Sequence, residues 1–416
     1  MAPSPAPRRD RYEPLWQEGL SLLGLFLLSA IALGWSLSSL PLQPGLETDL
    51  YRLARTTTLT TLWADPLMTH SPWHEAPLVP YLVVGAAQLW GASLMMLRLP
   101  TALLTAGSVV LLYGVTRELF PGRWMAILAG VVDLVLLPTV NGGRIAQPLG
   151  ALWCWETLLL WTVLRSRRDW RWLWGMTAAL NLLALTQPGS ALIMTLGILT
   201  FYAADTPRLL HHPWFWLGLG VGNLPWIGSA VGQAGPIITV DQGLTSIVLY
   251  GHHPWLTESW FALSGLALVW GGCQQTLQRS RWSWSLLLRI WLLVVGLGFG
   301  LILPSQNPLL LVLPLFAILA TVQLWDLQEQ IQQGKLTSRW RRGSRWISGV
   351  TVFSVLVAIL ILKPVQPPLL RLGLAGGAIA LTYTMVARLM ALGDRQFLPL
   401  LLWGLYVVRL LTLPQG

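Results

Sequence analysis

The sequence is poor in charge, poorer still in acid, and nearly without cysteine. Only 11% of its 416 residues are charged, against roughly a quarter in soluble domains, which is too few to cover a water-exposed surface of this size. Hydrophobic residues make up 54% of the chain and the mean hydropathy is positive. Cys154 and Cys273 both lie in apolar segments far apart in sequence, so neither a disulfide framework nor a thiolate metal site is indicated. The 17 acids are outnumbered by 27 basic residues, for a formal charge of +10. A nucleic-acid surface would cluster such cations, whereas these punctuate apolar runs, as topology signals do. What the chain has in abundance is tryptophan, 25 residues, many of them at the ends of hydrophobic runs, where an amphipathic ring suits the headgroup level.

Apolar runs of span length, punctuated by Gly, Pro and charge, predict an all-α polytopic membrane protein. The crossings fall near 19–40, 95–117, 123–139, 147–164, 171–187, 189–204, 213–230, 257–274, 284–303, 308–325, 345–362, 368–388 and 396–412, about 13 in number when each needs roughly 20 apolar residues. Residues 1–18 form a disordered, Pro-rich basic tail. The first apolar run is long for a signal-peptide core, so it reads as a retained span with the tail in the cytoplasm. Alternating loops then collect most Lys and Arg on the inner side, at Arg117 and Arg123, Arg165 to Arg171, Arg208, Arg279 and Arg281, Lys335 to Arg345, and Arg388 and Arg395, the bias expected of a multi-pass protein of a plasma or inner membrane.

The opposite face receives the segments around 41–94, 141–147, 186–188, 232–255, 304–308 and 363–367. The first of these gathers Glu47, Asp49, Asp65 and Glu75 between apolar stretches and is the only long segment that brings acids, histidines and arginines together. Within it, Thr56 to Trp63 predicts a short surface helix with Leu53, Leu59, Leu62 and Trp63 toward lipid, and Pro77 to Trp90 a second. Helices lying in the interface would hold Glu47, Asp49 and Glu75 at the level of a lipid headgroup.

An acidic cluster followed by Tyr and Ala-Arg (ETDLYRLAR, from Glu47), then Glu75-Ala76-Pro77, Arg98-Leu99-Pro100, GRIAQP from Gly143 to Pro148, Leu224-Pro225-Trp226, His253-Pro254-Trp255 and PSQNPLLLVLPLFAILA resembles, in order and spacing, the membrane glycosyltransferases of the GT-C superfamily. The branch it is most similar to contains bacterial protein O-mannosyltransferases and the aminoarabinose transferases of lipid A. The resemblance implies a GT-C-like bundle over residues 19–330, including the outer loop 41–94, followed by C-terminal transmembrane helices over 331–416. It also implies inverting transfer of a sugar from a polyprenyl-phosphate donor to a lipid, glycan or protein acceptor outside the cytoplasm.

Matching Tyr51 to the family's tyrosine puts Glu47 at the position of its leading catalytic acid, with Asp49 a near neighbour. A carboxylate is what the reaction needs, since the acceptor hydroxyl must lose a proton as it attacks the anomeric carbon. Donor phosphate and substrate contacts fall to Arg52, Arg55, Glu75, Arg144, Gln187, His253 and Gln306. The pattern departs at three places: Ala76 and Gln187 stand where the family carries lysines, and Leu149 stands where it carries an acid. These neutral positions define an alternative function, a GT-C-like scaffold or assembly protein that has lost catalysis. His70, His74, His252 and His253 with Glu75 offer ligands for a divalent metal, although none has tight helical spacing. Asp133 and Glu156 fall inside expected spans, where an ionisable side chain needs a partner, and a bridging role between helices is the expectation for both.

Overall fold

A computed structural model describes residues 15–34, 37–38, 42, 46–62, 77–120, 122–135, 142–232, 286–287, 289–291 and 313–332. Regular structure among them is helical: α1 (Leu15–Gly34), α2 (Leu46–Thr56), α3 (Leu59–Leu62), α4 (Leu78–Trp90), α5 (Leu94–Leu119), α6 (Arg123–Val135), α7 (Pro148–Ser166), α8 (Trp172–Thr186), α9 (Pro188–Asp205), α10 (Pro213–Gly232) and α11 (Leu313–Gln332), with a 3-10 turn at Pro207–His211. The chain divides into two compact units, Met1–Leu319 and Ala320–Gly416. Only residues 320–332 of the second are described.

The helix ends follow from local chemistry. The Ser93 side chain accepts the Met96 amide at the start of α5 (3.3 Å), and Phe120 turns extended to end it. Proline opens both α7 and α9, at the position where a missing N–H costs nothing. Gln187 is extended and joins α8 to α9: its amide closes α8 on the Leu183 carbonyl (2.7 Å), and its side chain accepts the Ser190 hydroxyl (2.7 Å).

In the first unit α5 is the central helix, packed against α1, α4, α6 and, most extensively, α7; α8, α9 and α10 continue the series outward. Successive helices alternate in direction, so the connections collect at two ends. One end is tied by ion pairs between neighbouring helices: Arg117 to Glu18 (3.1 Å), Arg165 and Arg168 to the two oxygens of Glu118 (3.2 and 2.8 Å), and Arg167 to Asp205 (2.8 Å). The other end carries α2, α3, α4 and the segment from Gly142 to Gln147.

Several expected spans match described helices to within a few residues, among them α5, α7, α8, α9 and α10. Among the described residues two helices are long and apolar enough to cross a membrane, Trp16–Gly34 and Leu94–Leu119, while Leu78–Trp90, Trp172–Thr186 and Gly189–Asp205 are shorter apolar helices. The expected spans at 257–274, 284–303, 345–362, 368–388 and 396–412 lie wholly or mostly outside the described residues, so about 13 crossings are not established.

The described part of segment 41–94 differs from the surface helices expected of it. Leu62 is buried, and Leu53 and Leu59 pack against a core formed with Leu50, Val79, Val83, Val84 and Leu97. The Tyr81 hydroxyl donates to the Leu62 carbonyl (2.8 Å). The reason lies in α4, whose apolar residues outnumber what one lipid-facing stripe needs. Packed on α5 and α2, they form a surface that α2 and α3 cover. Trp63 lies outside the described residues.

Candidate active site

The periodicity of α2 separates the two acids proposed for catalysis. Glu47, Leu50 and Ala54 recur at helical spacing and are buried, at 1%, 0% and 9% exposure, whereas Asp49, Arg52 and Arg55 occupy the opposite face. Two residues along a helix is a rotation of roughly 200°, so Glu47 and Asp49 cannot share an environment. Asp49 stands 3.9 Å from Arg52, with side chains 44% and 74% exposed, and the Arg55 guanidinium lies over the Tyr51 ring at 5.6 Å.

Glu47 is held on several sides. Arg98, in the first turns of α5, donates from Nε to Oε1 (2.7 Å) and from Nη2 to Oε2 (2.9 Å), and both side chains are fully buried. The Ala146 amide donates to the same Oε1 (3.1 Å), and Arg98 Nη1 donates to the Leu37 carbonyl (2.9 Å). A single carboxylate–guanidinium pair therefore joins four pieces of chain: the end of α1, the start of α2, the start of α5 and the segment entering α7. Sequence reasoning gave Arg98 no role of its own. The available signal was its position in an expected span, since an intramembrane arginine requires a partner.

The Gly142–Gln147 segment lies directly on α5. The Thr101 hydroxyl is within 3.2 Å of the Ile145 carbonyl. A Cβ on Gly143 would stand 2.7 to 2.9 Å from Thr105 side-chain atoms, and one on Gly150 would meet the Thr105 hydroxyl and the Thr101 carbonyl. This close seat holds Arg144 inside, at 1% exposure, instead of letting it snorkel to an interface. Burial first, and then the nearby Arg98, pull the Arg144 guanidinium down to about 10, so it keeps its charge at neutral pH. The site thus brings two guanidinia and a carboxylate together from α2, α5 and the entry to α7.

Gln187 is 6% exposed, with its side-chain oxygen engaged by Ser190. Glu156 accepts from Trp291 Nε1 (3.4 Å) and is fully buried, as the bridging expectation required, and Asp133 is 3% exposed on α6. Glu75, His253 and Gln306 lie outside the described residues, as do His70, His74, His252 and Asp65. Among the described residues no group of three metal-ligating side chains comes together, and the histidines on which a divalent metal would depend are not among them.

A family model described as dolichyl-phosphate-mannose-protein mannosyltransferase matches residues 74–227. The fold matches the crystal structure of ArnT from Cupriavidus metallidurans bound to undecaprenyl phosphate, with a TM-score of 0.61 and 14% identity, covering 96% of this chain and 77% of that one. It matches the same enzyme's apo structure with a TM-score of 0.59 and 14% identity, over 95% and 76% of the two chains. No curated protein matches the sequence. The resemblance to the GT-C membrane glycosyltransferases is thus supported by a mannosyltransferase family model over residues 74–227 and by the likeness of the fold.

Proposed function

We propose that this GT-C-like chain is a multi-pass membrane glycosyltransferase that moves a sugar from a polyprenyl-phosphate donor to a hydroxyl of a lipid, glycan or protein acceptor. The catalytic module is residues 19–330, the tail 1–18 lies in the cytoplasm, and the end of the bundle carrying α2 and α4 faces away from it. The observation that carries the assignment of roles is the buried Glu47–Arg98 pair. It commits both Glu47 oxygens to bracing and leaves Asp49 as the accessible acid of α2.

In this reading Asp49 accepts the acceptor's hydroxyl proton while that oxygen attacks the anomeric carbon from the face opposite the phosphate. The bond from anomeric carbon to phosphate oxygen breaks with inversion, and its electron pair leaves on the phosphate. Arg52 and Arg55, on the face of α2 that carries Asp49, supply the cations a phosphate needs as its charge grows, and Arg144 adds positive charge from the buried side beside Arg98. Glu75, His253 and Gln306 remain substrate contacts on the strength of the family pattern. Glu47 acts through Arg98 and Ala146, fixing α2 against the segment that bears Arg144. The isoprenoid tail keeps the donor in the bilayer at about 0.8 kcal/mol per methylene withdrawn from water and so delivers its phosphate at the membrane surface, whereas a water-soluble nucleotide sugar is a poor donor.

The test is transfer of a radiolabelled sugar from its polyprenyl phosphate in membranes carrying the chain or its Asp49→Asn variant. Transfer that needs the chain and is lost in the variant supports the reading. Equal transfer from a nucleotide sugar with no lipid intermediate overturns it. A second reading, a scaffold without chemistry, is favoured by Gln187: where the family pattern has lysine, this buried side chain is neutral and accepts the Ser190 hydroxyl at the start of α9. It predicts that deleting the chain disturbs a glycan-assembly complex while Asp49→Asn does not.

A further inference from the structure

The ion-paired end of the bundle has no part in the proposed chemistry, yet it carries a second built surface. The α7–α8 connection and the 3-10 turn between α9 and α10 lie side by side there. The Trp170 ring stacks on His212 and Trp174 meets Trp214, each pair with centroids 5.2 Å apart. Trp216 Nε1 donates to the Leu210 carbonyl (2.7 Å) and pins the turn.

The arginines around this shelf fall into two groups. Arg165 is clamped by Glu118 and lies over the Trp161 and Trp172 rings, 4.7 Å from each, and Arg167 is paired with Asp205. Arg171 and Arg208 are exposed, with no carboxylate paired to either among the described residues, and His211 beside Arg208 is exposed as well. The exposed acid of the two connections, Asp169, accepts the Arg171 amide (3.0 Å). On the same two connections and the helix starts that follow them, Trp170, Trp174 and Trp214 are 42%, 50% and 41% exposed. Exposed indoles beside guanidinia match the level at which a phospholipid has its glycerol backbone and its phosphodiester.

We propose that this shelf binds the headgroups of anionic phospholipids, with the exposed charges of Arg171 and Arg208 attracting the headgroup and the tryptophans flanking the glycerol. The proposal does not rest on glycosyl transfer, and its readout is independent of activity. The delipidated full chain in detergent is titrated with phosphatidylglycerol or phosphatidylcholine, and bound lipid is counted by native mass spectrometry. Phosphatidylglycerol is expected to be retained at severalfold lower concentration. Each of Arg171→Gln and Arg208→Gln is expected to cost roughly fivefold in that affinity, with the thermal midpoint unchanged to show that the fold survives. Excess inorganic phosphate should not displace the lipid. Equal retention of the two lipids, retention unaffected by either variant, or displacement by inorganic phosphate overturns the proposal, the last by assigning the shelf to free anions.

Discussion

Glu47 and Arg98 lie 51 positions apart and meet through two hydrogen bonds, at 2.7 and 2.9 Å, with neither side chain exposed. Removing one partner of such a pair leaves a buried charge alone, at a cost of about 3–5 kcal/mol. Glu47→Gln should therefore lower abundance and the thermal midpoint in detergent, in contrast to what a base on an accessible surface would show. The double variant Glu47→Leu with Arg98→Leu should recover much of that loss. A Glu47→Gln protein of unchanged stability but no transfer would return the catalytic role to Glu47.

Asp49 makes the opposite prediction. Its contact with Arg52 spans 3.9 Å between exposed side chains, a pair worth no more than about 1 kcal/mol. Asp49→Asn should keep the thermal midpoint and lower the rate of transfer by about 10²–10⁴-fold, the usual contribution of a general base. Full transfer by this variant would remove Asp49 from the mechanism.

Arg144 sets a pH limit. With its guanidinium at about 10 through burial and Arg98, it stays charged through neutral and mildly basic pH, so donor binding should be level there and fall as the pH passes 10. Between that value and the group's ordinary one the unfolded chain binds more protons than the folded chain, so this group's contribution to stability rises with pH in that window. Arg144→Gln should weaken polyprenyl-phosphate binding about 5-fold, the effect of removing a nearby charge that makes no direct contact with the phosphate. Titration of labelled lipid phosphate measures both effects.

Gly150 tests the seat of that segment. Its added Cβ would press on the Thr101 carbonyl and the Thr105 hydroxyl of α5, and overpacking of this kind costs about 1–3 kcal/mol. Gly150→Ala should lower the thermal midpoint. Gly24→Ala, in α1 with nothing within 4 Å of the new methyl, should leave it unchanged or raised.

The helical class and the boundaries of α5 and α7 to α10 were legible in the chain's local pattern, because apolar run length and the proline and glycine between runs are local properties. The sequence also marked residues 47–55 as a candidate site, since acids and arginines gathered between apolar stretches need a reason, and the order of short motifs resembled the GT-C branch. Which acid of α2 faces inward was not local. It depends on α4 and α5 offering an apolar wall and Arg98 a partner 51 positions away, and only the packed structure turned Glu47 toward them and Asp49 away. The same holds for Leu53, Leu59 and Leu62, whose apolar character suited lipid equally well until α4 and α5 supplied a surface to cover. Arg144 was legible as a cation on the site's side of the chain, but its burial was decided by two glycines that let the segment settle on α5. Periodicity gives the angle between neighbours on one helix, whereas the direction that helix faces is fixed by contacts between residues distant in the chain.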